Sequence, residues 1–309
     1  MSAKSGGSMR LEDLILTYSK SMKAIHGCKV FRVGLSTGVR CPHRAVGGCI
    51  FCNPASFRGQ YQTENNSIEK QLATGKQIIK ANSKAKKFIA YFQDETSTAG
   101  DAEMLKAMFE QAASDPEIVE LVISTRPDYI DEHTFELFKN IKIPVKLEIG
   151  LQSIHDHSLN FLRRGHSFAD SERAITLCGK HGISVGVHLI MGICGESFAE
   201  MKETIDWITG RKEIMEIKFH NLVIYEGTEL AEMWKRQEVK QMPINDYIEI
   251  LSELLPYVRE DIVISRLFTS NILHNDLALV IMEGNKTKWM NRLRLKLEEK
   301  KYQQGCKNI

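Results

Sequence analysis

The 309-residue chain has no apolar run of the ~18 residues that a transmembrane helix needs. It has no strong charge of either sign: 41 Lys and Arg stand against 39 Asp and Glu, so global charge makes no case for nucleic acid. Residues 1–10 are Ser-, Gly- and Lys-rich and lack the apolar stretch of a secretion signal, so a floppy tail is expected there. No G-x-G-x-x-G follows a strand-like segment, which removes the dinucleotide fingerprint. No internal repeat or low-complexity tract is present. Cysteine is sparse and odd in number, at seven, and Cys28, Cys178, Cys194 and Cys306 are scattered. That excludes a disulfide framework, argues against a second four-cysteine cluster, and fits a reducing cytoplasm. Hydrophobic content of 43% with 26% charged residues is that of a globular chain of one large domain, or one with an appendage.

The other three cysteines are concentrated. Cys41, Cys49 and Cys52 fall within twelve residues, spaced C-x7-C-x2-C, in a loop containing Gly47 and Gly48. Three thiolates in one loop indicate a metal site. A structural zinc site wants four ligands, and His43 could supply the fourth. A [4Fe–4S] cluster held by three thiolates leaves one iron open. Cys49 and Cys52 alone could form a redox C-x-x-C pair. Spacing by itself leaves all three readings standing.

The chain alternates strand-like and helix-like segments. Residues 30–35, 88–92, 118–124, 145–151, 183–191 and 214–224 read as strands, rich in Val and Ile. Helical spacing fills 67–81, 102–113, 134–139, 156–163, 169–181 and 198–209 between them. Six strands separated by helices predict an α/β fold with a parallel sheet, and a partial (β/α)6 TIM-like barrel fits better than an open sheet. In such barrels chemistry gathers at the C-terminal strand ends. The polar residues gather there too: the cysteine loop, Gln93-Asp94-Glu95, Thr125-Arg126, Gln152 and Gly192. From residue 229 the pattern turns mostly helical, with one further strand at 262–267, and its last segment is basic. The expected division is a tail and lead-in at 1–24, a barrel at 25–228 and a mostly helical C-terminal extension at 229–309.

Several segments coincide with one family. After the cysteine loop with Asn53-Pro54 come Tyr91-Phe92-Gln93, Ser124-Thr125-Arg126-Pro127-Asp128 and Glu148-Ile149-Gly150-Leu151-Gln152-Ser153. Arg164-Gly165-His166, His188-Leu189-Ile190-Met191-Gly192 with Gly195-Glu196, and Lys218-Phe219-His220 follow in order. With them the chain resembles the radical S-adenosylmethionine (SAM) enzymes, in the group similar to the catalytic subunit of Elongator and its YtqA/YhcC-type branch. The resemblance runs from about residue 25 to 240.

The resemblance implies a [4Fe–4S] cluster on Cys41, Cys49 and Cys52, with SAM on its open iron. It implies reductive cleavage of SAM to a 5′-deoxyadenosyl radical that abstracts hydrogen from substrate. Phe51 matches an aromatic near the adenine, or else a hydrophobic plug for the loop. Gln93 and Asp94 match contacts to the methionine amino group. Glu148 and Gln152, four apart on one strand, match contacts to ribose or carboxylate. Arg164 matches an arginine that forks onto the SAM carboxylate, against a plain exposed helix-end arginine. His188 matches a SAM contact, against a core histidine. Gly192 permits close backbone approach, or is an ordinary turn glycine. Cys194 is expected as a neutral replacement. The implied partners are an electron donor of flavodoxin or ferredoxin type and, by family association, tRNA and a methyltransferase acting on the same nucleotide. Two substrate classes follow: a tRNA wobble-uridine side chain, with the basic C-terminal helix on phosphates, or a small molecule or cofactor precursor. A non-catalytic metal-binding protein is the third reading.

Overall fold

The computed structural model describes residues 9–56, 59, 61–62, 67–93, 95–269, 278–280 and 282–308. Asp94 lies outside the described residues. After helices α1 (Leu11–Leu14) and α2 (Tyr18–His26), seven strands follow: β1 (Val30–Leu35), β2 (Lys87–Phe92), β3 (Ile118–Thr125), β4 (Val145–Gln152), β5 (Ser184–Met191), β6 (Ile214–Asn221) and β7 (Val263–Arg266). They form one all-parallel sheet in sequential order β1 to β7. Sequential parallel strands joined by helical crossovers curl the sheet into a partial barrel.

The expected partial barrel is therefore present, with one strand more. Residues 262–267, read as part of the appendage, instead supply β7, which pairs with β6 through Glu216–Val263, Ile217–Ile264 and Lys218–Arg266. No hairpin or βα spacing marked this join, because α8 (Glu229–Lys235) and α9 (Ile244–Leu254) lie between the two strands. The lead-in closes on the same edge. Leu16 accepts a hydrogen bond from Ile264 N at 2.8 Å, so the start of α2 sits against β7.

The outer face of the sheet is the core. Val33, Phe88, Ala90, Phe92, Leu121, Ile123, Leu147, Ile149, Val187 and Phe219 are buried beneath the surrounding helices. These are α3 (Ile68–Ala81), α4 (Ala102–Ala113), α6 (Phe168–Lys180), α7 (Phe198–Thr209) and α9, with α5 (Asp156–Phe161) short. Side-chain oxygens of Ser67, Asp101, Ser167 and Ser197 cap four of them at the N-terminus. The inner face differs. Arg32, Tyr91, Glu148, His188, Lys218 and His220 alternate with core residues and meet in the lumen. No helix among the described residues is long and apolar enough to cross a membrane.

Candidate active site

The cysteine loop leaves the C-terminal end of β1 and is pinned by its apolar residue. Ile50 is buried, its N–H donates to Leu162 O at 3.1 Å, and its carbonyl accepts from Leu230 N at 2.9 Å. That places Cys49 and Cys52 on either side of a fixed point, and Cys52 N donates to Cys49 O at 3.1 Å. Phe51 packs against the buried cluster of Leu162, Ile190 and Ile193. Cys41 opens the short 3-10 turn Pro42–Val46, and its N–H donates to the Glu95 carboxylate.

Two arginines face the sulfurs. Arg44 Nη2 approaches Cys52 Sγ at 3.4 Å, and its Nε lies 3.2 Å from Glu95. Arg164 Nη1 approaches Cys49 Sγ at 3.3 Å. Burial pushes the Cys52 thiol up to about 11, and the Arg44 and Arg164 charges pull against that rise. Cationic donors at the sulfurs suit thiolate ligands. The set does not suit zinc. His43 Nε2 is held by Arg163 O at 2.7 Å, and its ring fills the space where a Gly165 Cβ would stand. Among the described residues, neither His43 nor the three cysteines belong to a trio of ligand atoms lying within 4.8 Å of one another. Tetrahedral zinc would bring its sulfurs to roughly 3.8 Å, from bonds of about 2.3 Å. A larger cluster with three thiolates fits the donors present.

Arg164 is not an exposed helix-end arginine. It is 7% exposed, and each guanidinium nitrogen is engaged: Nη1 on Cys49, Nη2 on Gly150 O at 3.0 Å, Nε on His166 Nε2 at 3.2 Å. A fork onto the SAM carboxylate would require some of these bonds to be exchanged. Its carbonyl accepts from Arg126 Nη2 at 2.7 Å. Arg126 Nη1 is buried without a partner among the described residues.

Gln93 follows β2 directly and donates through Nε2 to Gln62 Oε1 at 3.1 Å. Both side chains lie over Gly34, where a Cβ would approach them to 2.8 and 2.9 Å. Gln152 is buried at the end of β4 with a φ of +66°. The register slips between Ile149 and Gln152, so the strict alternation expected to align Glu148 with Gln152 breaks before Gln152. Gly192 has a φ of +80°, so the turn favours glycine, and a Cβ there would meet only the movable end of Met242, Cε at 2.6 Å. Cys194 is half-buried among apolar neighbours such as Ile224 and Leu230, as a neutral replacement would be.

Below this mouth lies the charged lumen. Glu148 receives Arg32 Nη1 at 2.6 Å, His188 Nε2 at 2.9 Å, and Lys218 Nζ. Gly186 stands beside Glu148 in the register, and a Cβ there would crowd Glu148 Cγ at 3.1 Å. Lys218 also donates to Tyr91 Oη at 2.9 Å and lies 4.3 Å from that ring. Desolvation opposes the ionisation of Glu148, yet the Arg32 and Lys218 charges hold its pKa well below the carboxylate range. Burial, with the Arg32 charge, pulls Lys218 down to about 7. Burial, with the Lys218 charge, pulls His188 down to about 4, so its imidazole is neutral at pH 7.

Of the residues singled out in the sequence, the structure gathers the three cysteines and Arg164 at the mouth and places Glu148 and His188 together in the lumen. Sequence reasoning gave no site role to Arg44, Arg32, Tyr91, Lys218, His220 and Glu216, which adjoin them. A signal for three of them was present: Glu216, Lys218 and His220 alternate along one strand, which only a polar inner face permits.

The Radical SAM superfamily pattern matches residues 35–208, and that of a Radical_SAM C-terminal domain matches residues 214–299. Protein YhcC of Escherichia coli K12 is 33% identical over 269 residues, 85% of each chain. A tRNA uridine(34) acetyltransferase of Methanocaldococcus infernus is 29% identical over 323 residues, spanning 91% of this chain and 58% of that protein. The fold is like that of the archaeal Methanocaldococcus infernus Elp3 with its N-terminus deleted, with a TM-score of 0.67 and 21% identity. That likeness covers 89% of this chain and 64% of that one. The chain therefore belongs to the radical SAM superfamily, as a relative of YhcC, and is an enzyme of a family that uses a [4Fe–4S] cluster and SAM.

Proposed function

We propose that Cys41, Cys49 and Cys52 hold the [4Fe–4S] cluster and that the enzyme abstracts hydrogen while modifying the side chain of a tRNA wobble uridine. The three thiolates would hold the cluster, and the chemistry it would supply is one-electron reductive cleavage of SAM, with methionine as the leaving group, for hydrogen abstraction from substrate. The chain's own residues do the rest. Ile50 fixes the loop, Glu95 holds Cys41 N and Arg44, and Arg44 and Arg164 donate to the sulfurs. Gln93, Gln152 and Gly192 line or adjoin the mouth where SAM would lie, with Phe51 plugging the loop. Glu148 and His188 lie deeper and set the charge of the lumen.

The observation that carries the reading is the three-thiol loop at the end of β1, with an arginine on each of two sulfurs. The uridine part rests on the tRNA uridine(34) acetyltransferase similarity. The basic C-terminal helix does not carry it. In α10 (Lys286–Lys300), Lys296 pairs with Glu249, Lys300 with Glu249 and Glu253, and Arg294 with Glu298 at 2.6 Å. Lys307 lies 3.8 Å from Glu253 as well. Most of the helix's charge is thus used inside the molecule, as in a solvated amphipathic helix.

Partners in this reading are a flavodoxin- or ferredoxin-type electron donor and a methyltransferase acting on the same nucleotide, in the cytoplasm. The test is anaerobic reconstitution with iron and sulfide, then dithionite, SAM and unmodified or partly modified tRNA. Release of 5′-deoxyadenosine, absent in Cys49→Ala, supports the radical chemistry. A tRNA-dependent rise in its rate, with a mass change at the wobble nucleoside, supports the substrate. Stoichiometric zinc in place of iron would overturn the cluster assignment.

A further inference from the structure

Two histidines and a glutamate meet where the connections after β4 and β5 run side by side. His155 is the residue before α5, His157 lies in the first turn of α5, and Glu200 lies in the first turn of α7. The two strands are hydrogen-bonded neighbours, so both helices start at the same end of the barrel. One ligand atom each from His155, His157 and Glu200 lies within 4.8 Å of the other two. His157 Nε2 is 3.3 Å from Glu200 Oε1, and His155 Nε2 is 3.5 Å from Glu203 Oε2. Glu203 stands three residues beyond Glu200 on α7, on the same helix face.

Hydrogen bonds hold these groups in place. Ser153 Oγ and Ser158 Oγ, which flank the histidines in sequence, both donate to Glu196 Oε1, at 2.5 and 3.1 Å. Glu196 precedes α7, so one carboxylate ties the start of α5 to the start of α7. Ile154 N donates to Thr204 Oγ1 at 3.4 Å and adds a second tie. Glu200 Oε2 accepts from Ser197 N and Ser197 Oγ, both at 2.7 Å, which leaves Oε1 to face His157. Hydrogen bonds of this kind, made behind a carboxylate, orient it for a metal.

The charges point the same way. Among the described residues, neither Glu196, Glu200 nor Glu203 forms an ion pair with a lysine or arginine. Farther along α7, by contrast, Asp206 has Lys202 at 2.6 Å. Carboxylates without a basic partner beside two imidazoles make a donor set for a cation. Imidazole selects zinc and its transition-metal neighbours, whereas magnesium and calcium take oxygen ligands. Tetrahedral zinc, with bonds of about 2.1 Å, sets its ligands roughly 3.4 Å apart, so closing this trio moves each atom by less than about 1 Å.

We propose that His155, His157 and Glu200 bind one zinc ion, with Glu203 or a water in the fourth position, as a brace between α5 and α7. The site uses none of the cysteines and does not depend on the identity of the substrate. Beyond α5 come Leu162, whose carbonyl holds Ile50 of the cysteine loop, and Arg164, which reaches Cys49. The brace thus steadies the platform on which that loop rests.

The reconstituted full-length enzyme is gel-filtered and titrated anaerobically with zinc, and its iron and zinc are counted by elemental analysis. One zinc binds per chain in addition to the iron. X-ray absorption at the zinc edge shows nitrogen and oxygen neighbours at about 2.0–2.1 Å and no sulfur at about 2.3 Å. His157→Ala, at an exposed position, weakens zinc by at least about a hundredfold, the upper range for loss of even an outer-shell partner, and leaves iron unchanged. Cys49→Ala does the reverse. His133→Ala, an exposed histidine elsewhere, changes neither. Zinc raises the thermal midpoint of wild type and leaves that of His157→Ala where it was. No zinc uptake, sulfur at the zinc edge, zinc lost in Cys49→Ala, an equal loss in His133→Ala, or magnesium bound as tightly as zinc would each overturn the site.

Discussion

Replacing Glu148 with glutamine removes one negative charge from a site where three groups depend on it. The side chain is 1% exposed and takes Arg32, Lys218 and His188. Removing one partner of a buried ion pair costs about 3–5 kcal/mol, because the other charges stay buried and unpaired. Arg32 keeps Glu216, and Lys218 can shed its proton, since burial already draws it to about 7. Both reliefs place the loss near the lower limit, ~3 kcal/mol. With an unfolding entropy of about 2.1 cal/mol/K per residue, the 309-residue chain shifts by roughly 1.5 °C per kcal/mol, so the midpoint falls by about 5 °C. The assay is urea unfolding with thermal scans at pH 7. The double variant Glu148→Gln/Lys218→Met should recover part of the loss, since it removes the stranded cation as well.

The pH dependence has a definite sign. The folded Glu148 pKa is depressed, so its contribution is present above the unfolded value of about 4.3 and is lost as pH falls through the folded value. Wild type and Glu148→Gln should therefore converge in acid. A loss under ~1 kcal/mol at pH 7, the worth of an exposed pair, would refute the view of this carboxylate as the lumen's central anion.

Arg164→Met removes a donor from Cys49 Sγ and should shift the reconstituted cluster to a more negative potential, read by EPR-monitored titration; an unchanged potential would show that the contact does not reach the cluster. Gly165→Ala, at a φ of +69° with the His43 ring 2.4 Å from the new Cβ, should cost about 1–3 kcal/mol, measured as the denaturant midpoint. In His188→Gln the acid limb between pH 6.5 and about 4 should flatten, because the folded histidine is depressed and its contribution is lost as pH falls through that window. Glu249→Ala should cost no more than ~1 kcal/mol in low salt and less in high salt, because its pairs with Lys296 and Lys300 are half-exposed.

The linear order of residues determined the class of this protein. Parallel strands buried on their outer face need β-branched runs at a βα rhythm, and that rhythm is visible without coordinates. Three cysteines within twelve residues marked a metal loop, because their spacing is a local property, and the ordered motifs along the chain chose the cluster among its readings. The Ser67, Asp101, Ser167 and Ser197 caps were likewise local. Only the tertiary structure decided the rest. Arg164 is 115 residues from Cys49, and Lys218 is 70 from Glu148 and 127 from Tyr91, so no window of sequence holds these partners together. β7 joined the sheet because its register with β6 is a long-range pairing, and His43 lost its place as a ligand to a carbonyl 120 residues away. Strand alternation could mark Glu216, Lys218 and His220 as one face. Closure of the curled sheet then brought that face to Arg32 and Glu148, leaving Arg266 without a counter-ion among the described residues.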